Sequence, residues 1–423
     1  MPCARSRIVR RFSSWMISDG ARITIPASKR GSSARIAGSC TARKRRVEGM
    51  SGMAVCDLES AGLQPRRAAR GCGRLYRSSQ NQSLIRGLAV AGMVVVNVGP
   101  RGGDSLVEML YRLPYGRASL LFMLLGGIGF SLLSRRARSG ESPIPVGSIL
   151  WRALVLFVGG LLLQAVDHGV SVILVTYAVL FTAALPLTRA PAQALLVLAG
   201  LSASLGPILW LAVQEGTDKA FDRDPLSATD SPGELLAGTF VTGPYPVAVW
   251  VAPFLLGMWL GRQDLTRRFL STRLILWGAV SAIGARTISL TLIAYMGEPT
   301  SHLVWQRLIS SVAHSQMPLW LVEGTGAAIF VLGLCLKIAD RGTQGSLDPL
   351  VKLGQLAFTA YVGHLLILAV AVRPGPADVP EGLVASILII VLLTAFSLIW
   401  RRLVSRGPLE MLLRPPRVRR SGQ

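Results

Sequence analysis

Ten stretches of mostly uncharged residues follow one another after Ser83. Each is long enough to cross the roughly 30 Å hydrocarbon core of a membrane as a helix, given a rise of about 1.5 Å per residue. Inside a bilayer every backbone amide needs a partner within its own segment, and these Val-, Leu- and Gly-rich runs lack the alternation of barrel strands. The sequence therefore predicts an all-α, polytopic transmembrane helix bundle. The predicted spans are 83–99, 118–134, 148–166, 170–187, 192–213, 246–261, 273–296, 318–336, 354–372 and 382–400.

The positive charge of the chain is concentrated at its N-terminal end. Of a net charge of +23, residues 1–83 contribute seventeen Lys and Arg against four acidic residues. A segment rich in Arg, Ser, Gly and Ala cannot bury enough apolar surface to fold alone. We therefore expect a basic, disordered tail over residues 1–80, a membrane-embedded helical domain over 81–415 and a basic C-terminal tail over 416–423.

The origin of the N-terminal tail has three interpretations. It has no apolar core of signal-peptide length, but its Arg and Ser bias imitates an organellar transit peptide. An upstream start codon in a GC-rich gene, with Met50 or Met53 as the true start, is the interpretation we favour. A DNA-binding tail is the third, although no aromatic residues interleave with the basic ones and no binding motif is present.

The Lys and Arg residues between the spans indicate the topology. They are concentrated in alternate loops, and cytoplasmic loops of membrane proteins retain these residues. The pattern predicts that both termini face the cytoplasm, which requires an even number of spans and agrees with ten. The five Cys residues have neither disulfide nor zinc-ligand spacing, so we expect no metal site.

Two loops on the predicted outer side are candidates for building a site. Residues 214–245 carry six acidic residues, and residues 297–318 carry His302, Trp305, Arg307 and His314. Long loops on one face of a scaffold often build substrate sites. A solvated cap is the alternative interpretation of both loops.

Two charged residues inside the predicted spans are candidates for a buried pair. Arg286 lies near a face of small residues, which packs closely on neighbouring helices in membrane proteins. We therefore expect Arg286 to point into the bundle, where Glu323 lies at a comparable depth. The pair has two interpretations, one that fixes the register of the helices and one that binds substrate.

Histidine residues supply the candidates for acid–base chemistry, because imidazole titrates near neutral pH. His364 has Tyr361 three residues before it, on the same helical face. His314 is the second candidate, at the outer end of the eighth span. Arg86 and Asn97 lie at opposite ends of the first span, about 16 Å apart. A structural role, in which each histidine satisfies hydrogen bonds inside the bundle, is the alternative.

Several blocks of sequence occur in the order typical of one known family. They are RGLAVAGMVVVNVGP (86–100), GRASLLFMLLGGIGFSLLSRR (116–136), VILVTYAVLF (172–181), GPYPVAVWVAPFLLGMWLGR (243–262), LGQLAFTAYVGHLL (353–366) and GPLEMLLR (407–414). Together they resemble the YeiB-like bacterial membrane family, domain of unknown function number 418. That family is similar to the heparan-alpha-glucosaminide N-acetyltransferase-like and acyltransferase-3 membrane proteins.

The resemblance implies a multi-pass protein of the bacterial inner membrane that moves an acyl group from acyl-CoA to an envelope carbohydrate or a lipid-linked acceptor. His364 or His314 would be the general base. Arg86 and Arg152 would hold the phosphates of acyl-CoA, with no resident cofactor. The substrate contacts would come from Asn97, Arg286, Glu323 and Tyr361.

The chain departs from the patterns of these relatives at several positions. No His lies between Asn97 and Arg117, where the heparan-type proteins use one, and Ser83 stands where relatives often have an acidic residue. A further departure concerns the acyltransferase-3 pattern. In that pattern an Arg is followed, after ten residues, by a catalytic His, whereas here Arg86 is followed by Asn97.

Two other functions therefore stay open. One is a transporter in which Arg286, Glu323 and His364 line a route without covalent chemistry. The other is a non-catalytic membrane scaffold. No nucleic-acid partner is expected, and the oligomeric state is not determined.

Overall fold

A computed structural model describes residues 65–100, 105–216, 225–265, 267–299, 304–340 and 344–416. Within these ranges the chain is all-α, without strands. The longer helices are α1 (Pro65–Val98), α3 (Arg117–Leu133), α5 (Val146–Gln164), α6 (Leu174–Ala183), α7 (Ala192–Gly216), α9 (Val247–Leu260), α10 (Arg268–Met296), α11 (Pro318–Asp340), α12 (Gln344–Gln355), α13 (Ala357–Ile367) and α14 (Val379–Leu403). The short helices are α2 (Leu106–Tyr111), α4 (Arg135–Arg138), α8 (Pro232–Ala237) and α15 (Pro408–Leu412).

Among the described residues, 6 helices are long and apolar enough to cross a membrane, or up to 8 if each of two bent helix pairs forms one span. Every predicted span overlaps a helix, but α3 and α6 are shorter than a typical span. The prediction of ten spans is therefore not confirmed. The cytoplasmic position of both termini stays a prediction. Residues 1–64 lie outside the described ranges, and α1 begins at Pro65, before the predicted domain boundary.

The two short apolar helices lie in the interior of the bundle. Nearly every residue of α3 is buried, and most of α6 is buried as well. A helix that is apolar on all sides is stable in lipid or inside a protein, and the burial of α3 and α6 shows that other parts of the protein surround them. The predicted spans at 118–134 and 170–187 therefore correspond to central packing elements.

The two bent pairs have local causes. In the first, α8 continues into a π-helical turn, Gly238–Thr242, and the chain bends by 58° before α9 begins after Pro246. In the second, α12 ends at Gln355 and α13 begins at Ala357, with a bend of 76°. Each break exposes backbone groups that need new partners, and both breaks receive them from other segments.

Glycine permits three close helix crossings. A methyl group at Gly354 of α12 would overlap the Ser83 carbonyl of α1, and one at Gly127 of α3 would overlap the Phe254 carbonyl of α9. In the hairpin of α10 and α11, Gly278 leaves room for the backbone of Phe330. Small residues at membrane helix interfaces allow this approach. The predicted small-residue face of the seventh span does pack on its neighbour.

Candidate functional site

The first candidate contact joins the end of α1 to the middle of α13. The Asn97 Nδ2 atom lies 3.0 Å from the His364 Nε2 atom. His364 is fully buried, and Asn97 is half-buried. If the amide nitrogen donates, His364 Nε2 is the acceptor, and the neutral ring carries its proton on Nδ1. A neutral imidazole held in this way has the protonation state that a general base requires.

The environment of the His364 ring is aromatic and mostly apolar. Tyr361, one turn earlier on α13, contacts the ring edge-on, with 5.2 Å between ring centroids. Tyr361 also stacks on Phe122 of α3, at 6.0 Å. The predicted proximity of Tyr361 and His364 on one helical face is thus present in the structure. The buried Nδ1 atom makes no hydrogen bond of ordinary geometry, although carbonyl groups of the preceding turn interact with the ring.

A small cavity adjoins this contact. Its volume is about 20 Å³, which is room for about one water molecule. A substrate could enter only if the surrounding helices moved apart. The side chains that line it include Asn97, Ser119, Ser171, Tyr245, His314 and Tyr361.

His314 also lines the cavity and is surrounded by aromatic rings. Its imidazole stacks on Trp250 at 6.1 Å and contacts Trp320 at 5.6 Å. Tyr115 and Tyr245 complete the surround. The backbone of His314 has a φ of 59°, a value that residues other than glycine rarely adopt. The structure therefore brings three of the nominated residues, Asn97, His314 and Tyr361, to one cavity, with His364 bonded to the first.

Arg373 connects the loop around His168 to the end of α1 at Asn97. Its Nη2 atom donates to the Asn97 carbonyl at 2.9 Å, and its Nε atom donates to the His168 carbonyl at 2.6 Å. The loop that follows α5 is thereby held against the end of α1. Nothing in the sequence singles out Arg373 for this role, because its contacts are to backbone atoms far away in the chain.

The predicted pair of Arg286 and Glu323 is wrong. The Glu323 Oε1 atom accepts a hydrogen bond from Arg117 Nη2 at 2.5 Å, and Arg117 also donates to the Leu113 carbonyl at 2.9 Å. Glu323 is buried. Arg117 begins α3, directly after the cavity residue Gly116, so the ion pair lies beside the cavity.

Arg286 lies at the surface of the bundle, contrary to expectation. It is exposed, and its Nη1 atom donates to the Ser311 hydroxyl at 3.0 Å. The small residues Ala285, one position before Arg286, and Ser289, three positions after it, are the ones that are buried. A rotation of a single position along the helix thus decides which neighbour Arg286 meets.

Arg86 and Arg152 lie deep in the protein, away from its surface. Arg86 of α1 is buried and interacts electrostatically with Tyr177 and Glu410. Arg152 of α5 is buried, and its Nε atom donates to the Leu413 carbonyl at 3.2 Å. Neither guanidinium forms an open basic surface for phosphates in this conformation.

Glu410 is a buried acidic residue that sequence analysis did not single out. Its Oε1 atom accepts from the Phe358 and Thr359 amides at 2.8 and 3.0 Å, and its Oε2 atom accepts from the Thr359 hydroxyl at 2.6 Å. These amides belong to the first turn of α13, which a carboxylate stabilises. Glu410 thus caps the helix that carries His364. Its signal in the sequence was an acidic residue inside the GPLEMLLR block.

The comparison with known families concerns the C-terminal part of the chain. Residues 260–416 match the model described as "Protein of unknown function (DUF418)". The matched region includes His314, Glu323, His364 and Glu410, and it excludes Asn97. This agrees with the YeiB-like resemblance, while the relation to acyltransferases is not shown. No curated protein matches the chain.

Proposed function

We propose that this protein is a membrane-embedded acyltransferase in which His364 acts as the general base toward a polar acceptor. The observation that supports the proposal is the hydrogen bond between Asn97 and His364 beside the cavity. A buried histidine with a polar partner at a cavity is a reasonable base, because burial in an apolar helix bundle favours the neutral ring.

The proposed reaction uses the groups that surround the cavity. An acceptor hydroxyl or amine replaces the Asn97 amide as the donor to His364 Nε2. As the acceptor attacks the carbonyl carbon of the acyl thioester, its proton moves to His364. The carbon–sulfur bond breaks, and the thiolate of CoA takes up the proton. The displaced Asn97 amide is then free to donate a hydrogen bond to the oxyanion that forms during the attack.

Substrate entry requires a conformational change, because the cavity has room for about one water molecule. The break before α9 is a reasonable hinge, since Tyr245 belongs to this break and also lines the cavity. Eleven residues before Asn97 on α1, Arg86 is proposed to hold the phosphates of acyl-CoA together with Arg152 of α5. Their burial implies that the segment around Leu413 must first move away from Arg152.

A transporter without covalent chemistry is the second candidate function. It is favoured by the two broken helix pairs, bent by 58° and 76°. Broken helices at polar sites are common in secondary transporters, because their free backbone groups can bind substrates and ions. In this alternative, Asn97, His364 and Glu323 would contact the transported molecule. A non-catalytic scaffold, the third possibility, would show neither acyl transfer nor transport.

Labelled acetyl-CoA and membranes that contain the full chain would test the proposal. We expect label to appear in envelope carbohydrate or lipid, and to fall by about 100-fold in His364→Gln, the lower end of what a general base contributes. Ser397→Ala removes a buried hydroxyl of α14 that bonds only within its own helix, at the Leu393 carbonyl, and serves as the control. Equal transfer by wild type and His364→Gln would exclude His364 as the base. Uptake of solute into vesicles without donor consumption would support the transporter instead.

A further inference from the structure

Helix α10 lies at the edge of the bundle. Ala285 and Ser289 are buried, whereas Ile283 and Leu290 are 67% and 51% exposed. Exposed apolar side chains on a long apolar helix are the surface that lipid covers in a membrane protein. Arg286 lies three residues after Ile283 and four before Leu290, which places it on the same exposed face of the helix.

A charged side chain at such a position needs a counter-charge. An arginine near the centre of a membrane helix costs on the order of 3 kcal/mol on insertion scales. In the described part of the chain, Arg286 forms no ion pair with a carboxylate. Its hydrogen bond to the Ser311 hydroxyl is to a neutral group. An anion from the surrounding membrane would supply the missing negative charge.

The segment that follows α10 provides polar groups at the same depth. The Ser289 hydroxyl donates to the Ile309 carbonyl at 2.6 Å, so residues 309–311 lie directly beside the helix. Ser310 and Ser311 are buried, and the backbone from 310 to 317 is not helical. Irregular backbone at membrane depth is stable only beside polar partners or protein. Arg286 therefore lies next to a polar notch that opens toward lipid.

From this geometry we propose that Arg286 and Ser311 bind the phosphate group of an anionic membrane lipid. A guanidinium can donate two parallel hydrogen bonds to phosphate oxygens, and it is less strongly hydrated than an ammonium. The Ser311 hydroxyl can donate a third. The acyl chains of the lipid would cover the exposed Ile283 and Leu290. This site lies outside the Asn97–His364 cavity, and it does not depend on the proposed acyl transfer.

Native mass spectrometry of the purified full chain would test this site, with phosphatidylglycerol, phosphatidylcholine and inorganic phosphate as separate probes. We expect phosphatidylglycerol to bind most tightly, and Arg286→Gln to weaken its binding about tenfold, consistent with the loss of one charge-assisted hydrogen bond. Arg286→Lys keeps the charge but not the fork geometry, so we expect an intermediate affinity. Arg273→Gln removes another exposed arginine of α10, which packs over the Phe269 ring, and is the matched control.

Three outcomes would overturn the inference. Unchanged phosphatidylglycerol binding in Arg286→Gln would remove Arg286 from any lipid site. Equal binding of inorganic phosphate would indicate a general anion site. Loss of a dimer in Arg286→Gln, without a change in bound lipid, would identify a second copy of the chain as the occupant. If Arg286→Gln is poorly folded, the phosphatidylglycerol affinity of Arg286→Lys decides, because a site that uses the guanidinium fork requires this affinity to fall, and an unchanged affinity would overturn the inference.

Discussion

Asn97 and His364 are 267 positions apart in the chain, and their side chains lie 3.0 Å from each other. One residue comes from the end of α1 and the other from the helix that follows the larger of the two bends, 76°. The contact therefore depends on where α13 begins. Every element that fixes the start of α13 also fixes the geometry of this pair.

The Asn97–His364 hydrogen bond predicts an energetic coupling between the two side chains. In a double-mutant cycle of Asn97→Leu and His364→Leu, we expect a coupling of about 1 kcal/mol, the typical net value of a buried hydrogen bond. The free energy of unfolding in mixed detergent micelles measures it. A cycle of Asn97→Leu with Ser397→Ala is the control and should be additive. Additivity in both cycles would mean that Asn97 and His364 do not interact.

The ion pair of Arg117 and Glu323 predicts which arginine supports the buried carboxylate. Arg117→Gln leaves Glu323 without its charged donor, and we expect a loss of about 2 kcal/mol in unfolding free energy. Arg286→Gln should leave Glu323 unaffected. The test is whether each variant regains stability when Glu323→Gln is added. Rescue of Arg286→Gln, with none for Arg117→Gln, would contradict the observed pairing.

Glu410 predicts a specific weakness at the start of α13. Replacing it with Gln removes an acceptor for the Thr359 hydroxyl and the negative charge at the helix N-terminus, so we expect a loss of about 1–3 kcal/mol. Thermal unfolding in detergent measures the change. The matched control is Glu381→Gln, at the start of α14, where the carboxylate is exposed and accepts from the Ala377 amide. Equal effects of the two substitutions would exclude a special role for Glu410.

The crossing of α1 and α12 predicts that Gly354 tolerates no side chain. In Gly354→Ala, the new methyl group overlaps the Ser83 carbonyl, and we expect a loss of about 2 kcal/mol or more from overpacking. Gly200→Ala in α7 is the control, because a methyl group there meets nothing within 4 Å. It should be neutral or stabilising by up to about 1 kcal/mol, owing to the higher helix propensity of alanine. The free energy of unfolding of both variants, measured in detergent, tests this prediction. Equal stabilities would refute the close approach of Gly354 to the Ser83 carbonyl.

The hydrogen bonds of His168 predict that the loop after α5 becomes less stable at acidic pH. Its Nε2 atom lies 3.0 Å from the Leu163 carbonyl, and its Nδ1 atom accepts from the Val170 amide at 3.1 Å. Burial lowers the pKa of His168 below the ordinary value of 6.5; Arg373 also lowers it, while the Leu163 hydrogen bond and Asp167 raise it. Because the unfolded chain takes up this proton first, stability is complete above pH 6.5 and is lost as the pH falls toward the folded-state pKa.

Hydrogen exchange of the Val170 amide measures this loosening. We expect its protection to decrease between about pH 7 and pH 5, after correction for intrinsic exchange, in the range where histidine titrates. In His168→Gln, this pH dependence should be absent. A wild-type protein whose protection is constant over the same range would show that His168 does not control the loop.

The positions of the helices were largely predictable from the sequence. Which of these helices face lipid and which are enclosed by protein was not. Each predicted span overlaps a helix because apolar runs of this length are a local property of the chain. The number of spans is not confirmed because of α3 and α6. These two helices are as apolar as the longer ones, but they are short and enclosed by other parts of the protein. Hydropathy measures how apolar a segment is, and it does not distinguish lipid from protein as the apolar surroundings.

The candidate site was predictable as a set of residues, but only partly as contacts. His364 and Asn97 were nominated because polar groups inside apolar helices require an explanation. Their mutual hydrogen bond was not foreseen, because it depends on the 76° bend before α13. Arg286 was assigned to Glu323 from depth alone, whereas Arg117, at the start of another helix, takes that partner.

By itself, the sequence determined that the chain after its basic N-terminal region forms long apolar helices with a few polar residues inside them. Tertiary structure decided which of those polar residues meet. Hydrophobicity and helix periodicity depend on neighbouring residues and can be read along the chain. The choice of partner for Glu323, His364 or Glu410 depends on bends and helix rotations that bring together residues from distant segments.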